Sequence, residues 1–228
     1  MNRYFAIQQA ERTADVYIFG DIVPFALLEG DVSAHSIVQQ IQTLDVDTIR
    51  VHIDSYGGAV SEGWAIYNAL REHPAKIVTY GDGFVASAAL YPFMAGDERY
   101  ASSLSAYFFH QVMTGASGYA SDLRAAADEA DVLTKIGMAA FTERAGMAEE
   151  EVRQLMENET WLSPQQALEY GVATAIVSDP TPRLQQGVKR MLMQKVTGQS
   201  VQAPVPPAAP PKPEPPKNTV NIMQLFKL

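Results

Sequence analysis

One serine, Ser87, lies in the stretch GDGFVASAAL (81–90), where a strand-like segment gives way to small residues. A serine hydroxyl is an effective nucleophile only when a base takes its proton and N–H donors receive the charge that develops on the carbonyl oxygen. A helix that begins after Ser87 would direct backbone N–H groups towards it. The alanines on either side leave room for an acyl group to approach. The residue type and its place therefore point to acyl-transfer chemistry.

A glycine pair, Gly57-Gly58, follows another strand-like segment in DSYGGAV (54–60). Glycine allows backbone N–H groups to lie exposed against a ligand. Two strand-end loops that face the same way could together form one oxyanion site. Both loops are also consistent with ordinary strand-to-helix turns, in which serine, glycine and alanine are common.

The base must come from one of four histidines, which are His35, His52, His73 and His110. His110 differs from the others because it closes the apolar run AYFF and precedes the flexible stretch TGASG. A histidine at the end of a buried strand is either a base or a packed core residue. Periodicity does not choose the acid that would orient it among Asp122, Asp128, Glu157 and Glu159.

The elements that would position these residues alternate along the chain. Strand-like segments are 15–20, 48–54, 75–81, 98–101, 105–112 and 172–177, and helical patterns are 33–44, 59–73, 87–96, 119–146, 147–158 and 163–171. Strands that alternate with helices over about 180 residues predict an α/β fold with helices packed on a sheet.

Composition excludes several classes of function. The chain has no cysteine, which excludes a disulfide scaffold, a thiol nucleophile and a cysteine zinc site. A net charge of −9 argues against a nucleic-acid partner. No signal peptide and no apolar run long enough for a membrane span is visible. These features together predict a cytoplasmic protein without a membrane partner.

A change of composition near residue 180 predicts two parts, a globular domain over 1–180 and a tail over 181–228. Eight of the 14 prolines lie in APVPPAAPPKPEPPK (203–217), which predicts an extended, disordered linker. The last eleven residues, NTVNIMQLFKL, turn apolar again and are interpreted as a docking peptide or the start of a truncated segment.

Residues 15–178 resemble the ClpP family of serine proteases, and more closely its phage-encoded head-maturation (prohead) members. The resemblance follows the chain in order: YIFGDIVPF and EGDVSAHSIVQQI, then VHIDSYGGAVSEGWAIYNAL, GFVASAA, YFFHQ and ENETWLSPQQALEYGVATAI. Each motif is weak alone, and their order and spacing make the resemblance specific.

The resemblance implies a catalytic triad of Ser87 as nucleophile, His110 as general base and Glu159 as acid. The N–H groups of Gly58 and Ala88 would form the oxyanion hole, and no cofactor or metal is required. It further implies a ClpP/crotonase-like spiral of stacked ββα units that assembles into homo-oligomeric rings, with the 119–146 helix as a contact between rings. The expected substrates and partners are scaffold, capsid and portal proteins of the same virus. The expected location is the host cytoplasm, within the assembling procapsid.

The chain departs from the cellular protease at four places. Tyr56 replaces the usual proline before the glycine pair, and Glu159 replaces the usual aspartate of the triad. The N-terminal segment is not the long apolar one that docks the ATPase, so a Clp ATPase partner is not expected and hydrolysis should be independent of ATP. The proline-rich tail is foreign to the cellular form.

Two other classes of function stay open at this stage. The first is a non-catalytic capsid assembly factor on the same fold. The second is a crotonase-type acyl-CoA enzyme, a superfamily with similar architecture that does not use a serine nucleophile.

Overall fold

The computed structural model describes residues 7–10, 12–24 and 32–177. The strands are β1 (Ile7–Ala10), β2 (Thr13–Phe19), β3 (Ile22–Val23), β4 (Val32–Ser33), β5 (Thr48–Ser55), β6 (Lys76–Ala86), β7 (Glu98–Ser102), β8 (Ala106–Phe109), β9 (Thr160–Leu162) and β10 (Ala175–Val177). The helices are α1 (Ala34–Gln42), α2 (Val60–Glu72), α3 (Leu90–Met94), α4 (Ala120–Ala145), α5 (Glu149–Glu157) and α6 (Pro164–Glu169). The predicted tail and its boundary near residue 180 lie outside the described residues.

A largely parallel sheet forms the centre of the fold, in the order β1-β2-β5-β6-β7-β10. Only its edge strand β1 runs antiparallel to its neighbour within this order. β6 also pairs with β8, which pairs in turn with β9. Alternate residues of the central strands are fully buried, as with Ile18, Ile49 and Ile53. The predicted α/β class is therefore confirmed.

Local sequence signals account for the helix ends. The side chain of Ser163 accepts a hydrogen bond from the Gln166 N–H at the start of α6, and Pro164 occupies the first turn of that helix. Helix α4 ends at Gly146, whose φ of 71° is the left-handed conformation that glycine adopts without strain. The helices predicted over 119–146 and 163–171 are both confirmed.

The strand predicted over 75–81 is longer in the structure. The prediction placed its end at Gly81, whereas β6 continues to Ala86 through two glycines. Glycine weakens a strand in general, but here new pairing with β8 supports the extension. The predicted helix over 87–96 begins as a 3₁₀ turn over Ser87–Ala89 before α3.

Helix α4 has two unlike halves. Its C-terminal half packs on the core through Met138 and Phe141, whereas Leu123 and Val132 in its N-terminal half are exposed. No helix in the described part of the chain is long and apolar enough to cross a membrane.

Candidate active site

Ser87 lies at the carboxyl end of β6, which is the edge of a parallel sheet where ligands usually bind. Its Oγ is 2.6 Å from Nε2 of His110. With Nε2 unprotonated, the serine hydroxyl donates this hydrogen bond and the imidazole is in place to take the proton. The sequence placed both residues as candidates, and the fold brings them into contact across 23 positions of the chain.

Ser87 has a strained backbone. Its φ is 56°, in the left-handed region that residues with a Cβ seldom occupy. Such conformations persist only where surrounding structure holds them, and they are concentrated at functional sites. The turn brings the serine from the end of β6 into the 3₁₀ turn that leads to α3.

Strand β8 positions His110. Tyr107 and Phe109 are fully buried, so alternation places Phe108 and His110 on the opposite face. The Phe108 ring stacks on the imidazole with 5.4 Å between ring centroids. Because Ala86 pairs with Phe108, the parallel register of β6 and β8 determines how far His110 lies from Ser87.

The glycine pair packs directly against the turn that carries Ser87. A Cβ on Gly57 would lie 2.6 Å from the Ala86 carbonyl oxygen and 2.8 Å from the Ala88 nitrogen, so no larger residue fits. Ile22 binds the loop on its other side, since its N–H donates to the Gly57 carbonyl and its carbonyl accepts from the Ala59 N–H.

This pairing with Ile22 also orients the second glycine. In a parallel bridge the central residue directs its own N–H away from the paired strand, so the Gly58 N–H is directed away from Ile22. None of the described residues accepts a hydrogen bond from it. A backbone donor in this state is suited to receive a developing oxyanion.

Glu159 is placed differently from the other two residues of the predicted triad. Its side chain is exposed, and within the described residues no hydrogen bond joins its carboxylate to His110. Its backbone nevertheless lies beside β8, because the next residue, Thr160, pairs with Phe109. Its φ of 48° is also left-handed, and Ser87 and Glu159 are the two non-glycine residues with this conformation in the described part of the chain.

The remaining candidates have other roles. His52 bonds Asp82, His73 lies 3.1 Å from the Leu44 carbonyl oxygen, and His35 is exposed on α1. Among the acids, Asp122 binds the Tyr119 N–H at the start of α4, Glu157 pairs with Arg153, and Asp128 is exposed on α4. Among the described residues, no hydrogen bond joins any of these side chains to Ser87 or His110.

Comparison with known proteins places this arrangement in a family. Residues 25–180 match the family described as Clp protease. The chain is 32% identical over 160 residues to ATP-dependent Clp protease proteolytic subunit 2 of Treponema pallidum, covering 66% of this chain and 80% of that protein. It is 30% identical over 175 residues to the subunit of the same name in Thermobifida fusca, covering 74% of this chain and 86% of that protein.

The chain belongs to the Clp protease family. A solved ClpP1 mutant from Listeria monocytogenes has the same fold, with a TM-score of 0.63 at 23% identity, covering 74% of this chain and 92% of that one. The ClpP-like fold expected from the sequence is thus confirmed, and with it membership of a family of serine peptidases whose members form ring-shaped homo-oligomers.

Two residues that hold the loops of this candidate site were missed in the sequence. Ser55 is 1% exposed, and its hydroxyl donates to the Gly20 carbonyl while accepting from the Gly57 N–H. A polar residue at an inward-facing position of β5 was a usable signal for it. Asp54 binds the Phe84 N–H, but it continues the polar face of β5, so alternation gave no sign of a special role.

Proposed function

We propose that this chain is a serine endopeptidase of the head-maturation type, with Ser87 as nucleophile and His110 as general base. The observation that carries the proposal is the 2.6 Å contact between Ser87 Oγ and His110 Nε2. Membership of the Clp protease family favours peptide hydrolysis over acyl-CoA chemistry.

The reaction follows from these positions. As Oγ bonds to the scissile carbonyl carbon, its proton passes to Nε2 and the carbonyl π electrons move onto oxygen. The N–H groups of Gly58 and Ala88 receive that oxyanion. When the carbon–nitrogen bond breaks, His110 gives its proton to the leaving amine, and water then hydrolyses the acyl ester by the same route.

Glu159 is proposed as the third member of the triad, which orients the imidazole and stabilises its cation. The pairing of Thr160 with Phe109 supports this role because it keeps the Glu159 backbone beside the strand that leads to His110. The carboxylate must turn inwards from its exposed position to reach Nδ1. A glutamate has one more rotatable bond than an aspartate, which makes that reorientation feasible without moving the strand.

The substrate class and the independence from ATP rest on sequence. The opening motifs are of the phage type, and the N-terminal segment does not resemble the one that docks an ATPase. We therefore propose a homo-oligomeric peptidase that cleaves scaffold, capsid or portal proteins of the same virus inside the assembling procapsid, without a Clp ATPase. The names of the bacterial relatives describe ATP-dependent proteases, so this chain would differ from them in not requiring ATP.

A fluorophosphonate probe tests the catalytic proposal. The wild-type protein should be labelled at Ser87 and should hydrolyse a flexible polypeptide without ATP, whereas Ser87→Ala should do neither. Ser103→Ala, which removes an exposed serine, is the matched control and should behave as wild type. Absence of wild-type labelling would contradict the proposal and favour the non-catalytic assembly factor, particularly if Ser87→Ala still supported capsid assembly.

A further inference from the structure

Strand β6 changes neighbours part-way along its length. It pairs with β7 over Val78–Gly81 and with β8 over Phe84–Ala86. At the change, β5 advances two residues, from Ile53 to Ser55, while β6 advances four, from Gly81 to Val85. The extra residues form a bulge immediately before the segment that carries Ser87. Bulges of this kind redirect a strand and are frequent next to active sites.

Two side chains of β5 hold the bulge. At its start, Nδ1 of His52 lies 2.7 Å from the Asp82 carboxylate. At its end, Oδ1 of Asp54 accepts the Phe84 N–H at 2.9 Å. The second contact replaces a ladder hydrogen bond that β5 and β6 cannot form where their registers separate.

Gly83 makes room for the Asp54 carboxylate. A Cβ at this position would overlap Oδ1 and would lie 2.8 Å from Cγ of Asp54. The three atoms nearest to that Cβ position all belong to the Asp54 side chain. A glycine is therefore needed at position 83 because the carboxylate occupies the space of its side chain.

We propose that Asp54 is a positioning residue for the nucleophile, and that its carboxylate, seated against Gly83, sets the register in which β6 brings Ser87 to His110. This inference rests on the proposed function of Ser87. Phe84, which Asp54 binds, is also the first residue of β6 that pairs with β8. Ser87 follows three residues later.

Strand geometry gives the size of the displacement expected when the hydrogen bond from Phe84 to Asp54 is lost. A slip of one residue between β6 and β8 would shift Ser87 by about 3.3 Å relative to His110. The 2.6 Å contact does not survive such a shift. Because Asp54 is exposed and the hydrogen bond of its carboxylate is to the exposed Phe84 N–H, its loss should affect this alignment more than the stability of the fold.

The test compares single and double variants in the full-length protein. Asp54→Ala should lower both the rate of fluorophosphonate labelling at Ser87 and kcat for a peptide by at least about 100-fold, since a misplacement of reacting groups by about 1 Å already carries a cost of this order. KM should change less than about twofold, because the residue does not bind substrate. Asp54→Asn keeps the acceptor oxygen and should retain at least about half of the wild-type rate.

Gly83→Ala provides a second route to the same defect. The added Cβ displaces the carboxylate from the Phe84 N–H, so its loss should match that of Asp54→Ala. In the double variant Asp54→Ala/Gly83→Ala, the carboxylate that the new Cβ would displace is already absent. The loss of rate should therefore equal that of either single variant and not the product of the two losses. If Asp54→Ala does not fold, Gly83→Ala and Asp54→Asn still decide the question.

Asp45→Ala removes a carboxylate whose side chain is 97% exposed, and it serves as the control for loss of charge. Three results would overturn the positioning role without affecting the proposed function. They are labelling of Asp54→Ala at the wild-type rate, losses that multiply in the double variant, and a rate in Asp54→Asn as low as that in Asp54→Ala. If the wild-type protein is not labelled at Ser87, the proposed function fails and the positioning role fails with it.

Discussion

Two residues of the proposed triad have backbone conformations that residues with a Cβ normally avoid. The φ angles of Ser87 and Glu159 are 56° and 48°. For Ser87 the surroundings explain the strain, because the turn is packed between the Gly57 loop and the start of α3. For Glu159 the end of α5 explains the angle, because the residue directly follows the C-cap Asn158 and its N–H donates to the Met156 carbonyl. This is the left-handed helix end at which glycine is the usual residue, and a glutamate there keeps the conformational cost.

This suggests a test at position 159. The left-handed conformation costs a residue with a Cβ about 1–2 kcal/mol, and the greater freedom of glycine in the unfolded chain offsets roughly 0.5–1 kcal/mol of that. Glu159→Gly should therefore raise the free energy of unfolding by up to about 1.5 kcal/mol while it lowers peptidase activity. Urea denaturation and peptide hydrolysis measure the two effects.

Glu157→Gly is the matched control for this test. Glu157 ends α5 in a helical conformation, so glycine there should lower the free energy of unfolding by about 1 kcal/mol. Lower stability with unchanged activity in Glu159→Gly would contradict both the strain argument and the assignment of this residue to the triad.

The pH dependence of the reaction tests the base. His110 can accept the Ser87 proton only while Nε2 is unprotonated, so the rate should be lower at about pH 5 than at about pH 8. The initial rate of peptide hydrolysis measures this, with circular dichroism at each pH as the control for folding. A constant rate over that range would exclude His110 as the base.

At the scale of elements, Arg99 of β7 joins the ends of two helices to the sheet. It is 5% exposed, and its guanidinium donates to carbonyls of four residues, which are Gly96, Arg144, Gly171 and Val172. Burial lowers the pKa of Arg99 to about 10, so the group is still charged at neutral pH. The negative ends of α4 and α6 therefore meet a fixed cation.

Arg99→Met should lower the free energy of unfolding by about 3 kcal/mol, because several buried carbonyls lose their donor together. Arg99→Lys should recover little of this, since an ammonium cannot reproduce the planar donor geometry. Arg153→Met removes an exposed arginine that pairs with Glu157 and should change stability by less than about 1 kcal/mol. Denaturant unfolding that shows no difference between Arg99→Met and Arg153→Met would contradict the argument.

At the scale of the whole molecule, the N-terminal half of α4 exposes apolar side chains that the described part of the chain leaves uncovered. Leu123 is 47% exposed and Val132 is 58% exposed. Since members of the Clp protease family form rings, we expect this surface to be covered by another copy of the chain.

Val132→Asp should therefore reduce the size of the assembly in sedimentation velocity. The unfolding temperature of the single chain should change little, because the residue is exposed there. Glu129→Gln, a substitution at an exposed position on the same helix, is the control and should leave the assembly intact. An assembly of wild-type size in Val132→Asp would mean that this surface is not the contact.

The tail makes a second prediction at this scale. Because the proline-rich composition predicts a spacer that does not pack on the protease domain, deletion of residues 200–228 should leave labelling of Ser87 unchanged. The same deletion should abolish recruitment of the natural partner. Aggregation or loss of labelling in the truncated protein would show that the tail is part of the folded domain.

The sequence by itself determined the alternation of strands and helices, most helix boundaries and the candidates Ser87 and His110. These follow from local chemistry: the Ser163 cap, the Gly146 terminator and the apolar alternation of β5 act within a few residues of the chain. The family motifs added order and spacing, and through them the assignment of the triad.

Only the tertiary structure decided which strands meet and what their side chains do there. The pairing of β6 with β8, the contact of Ser87 with His110 and the exposure of Glu159 all depend on residues that are distant in sequence. Asp54 and Gly83 show the physical reason most clearly. In the sequence, Asp54 is an ordinary polar residue of a strand and Gly83 is an ordinary small one. They are related only in the folded chain, where the bulge in β6 places the Asp54 carboxylate in the space that a side chain at position 83 would fill.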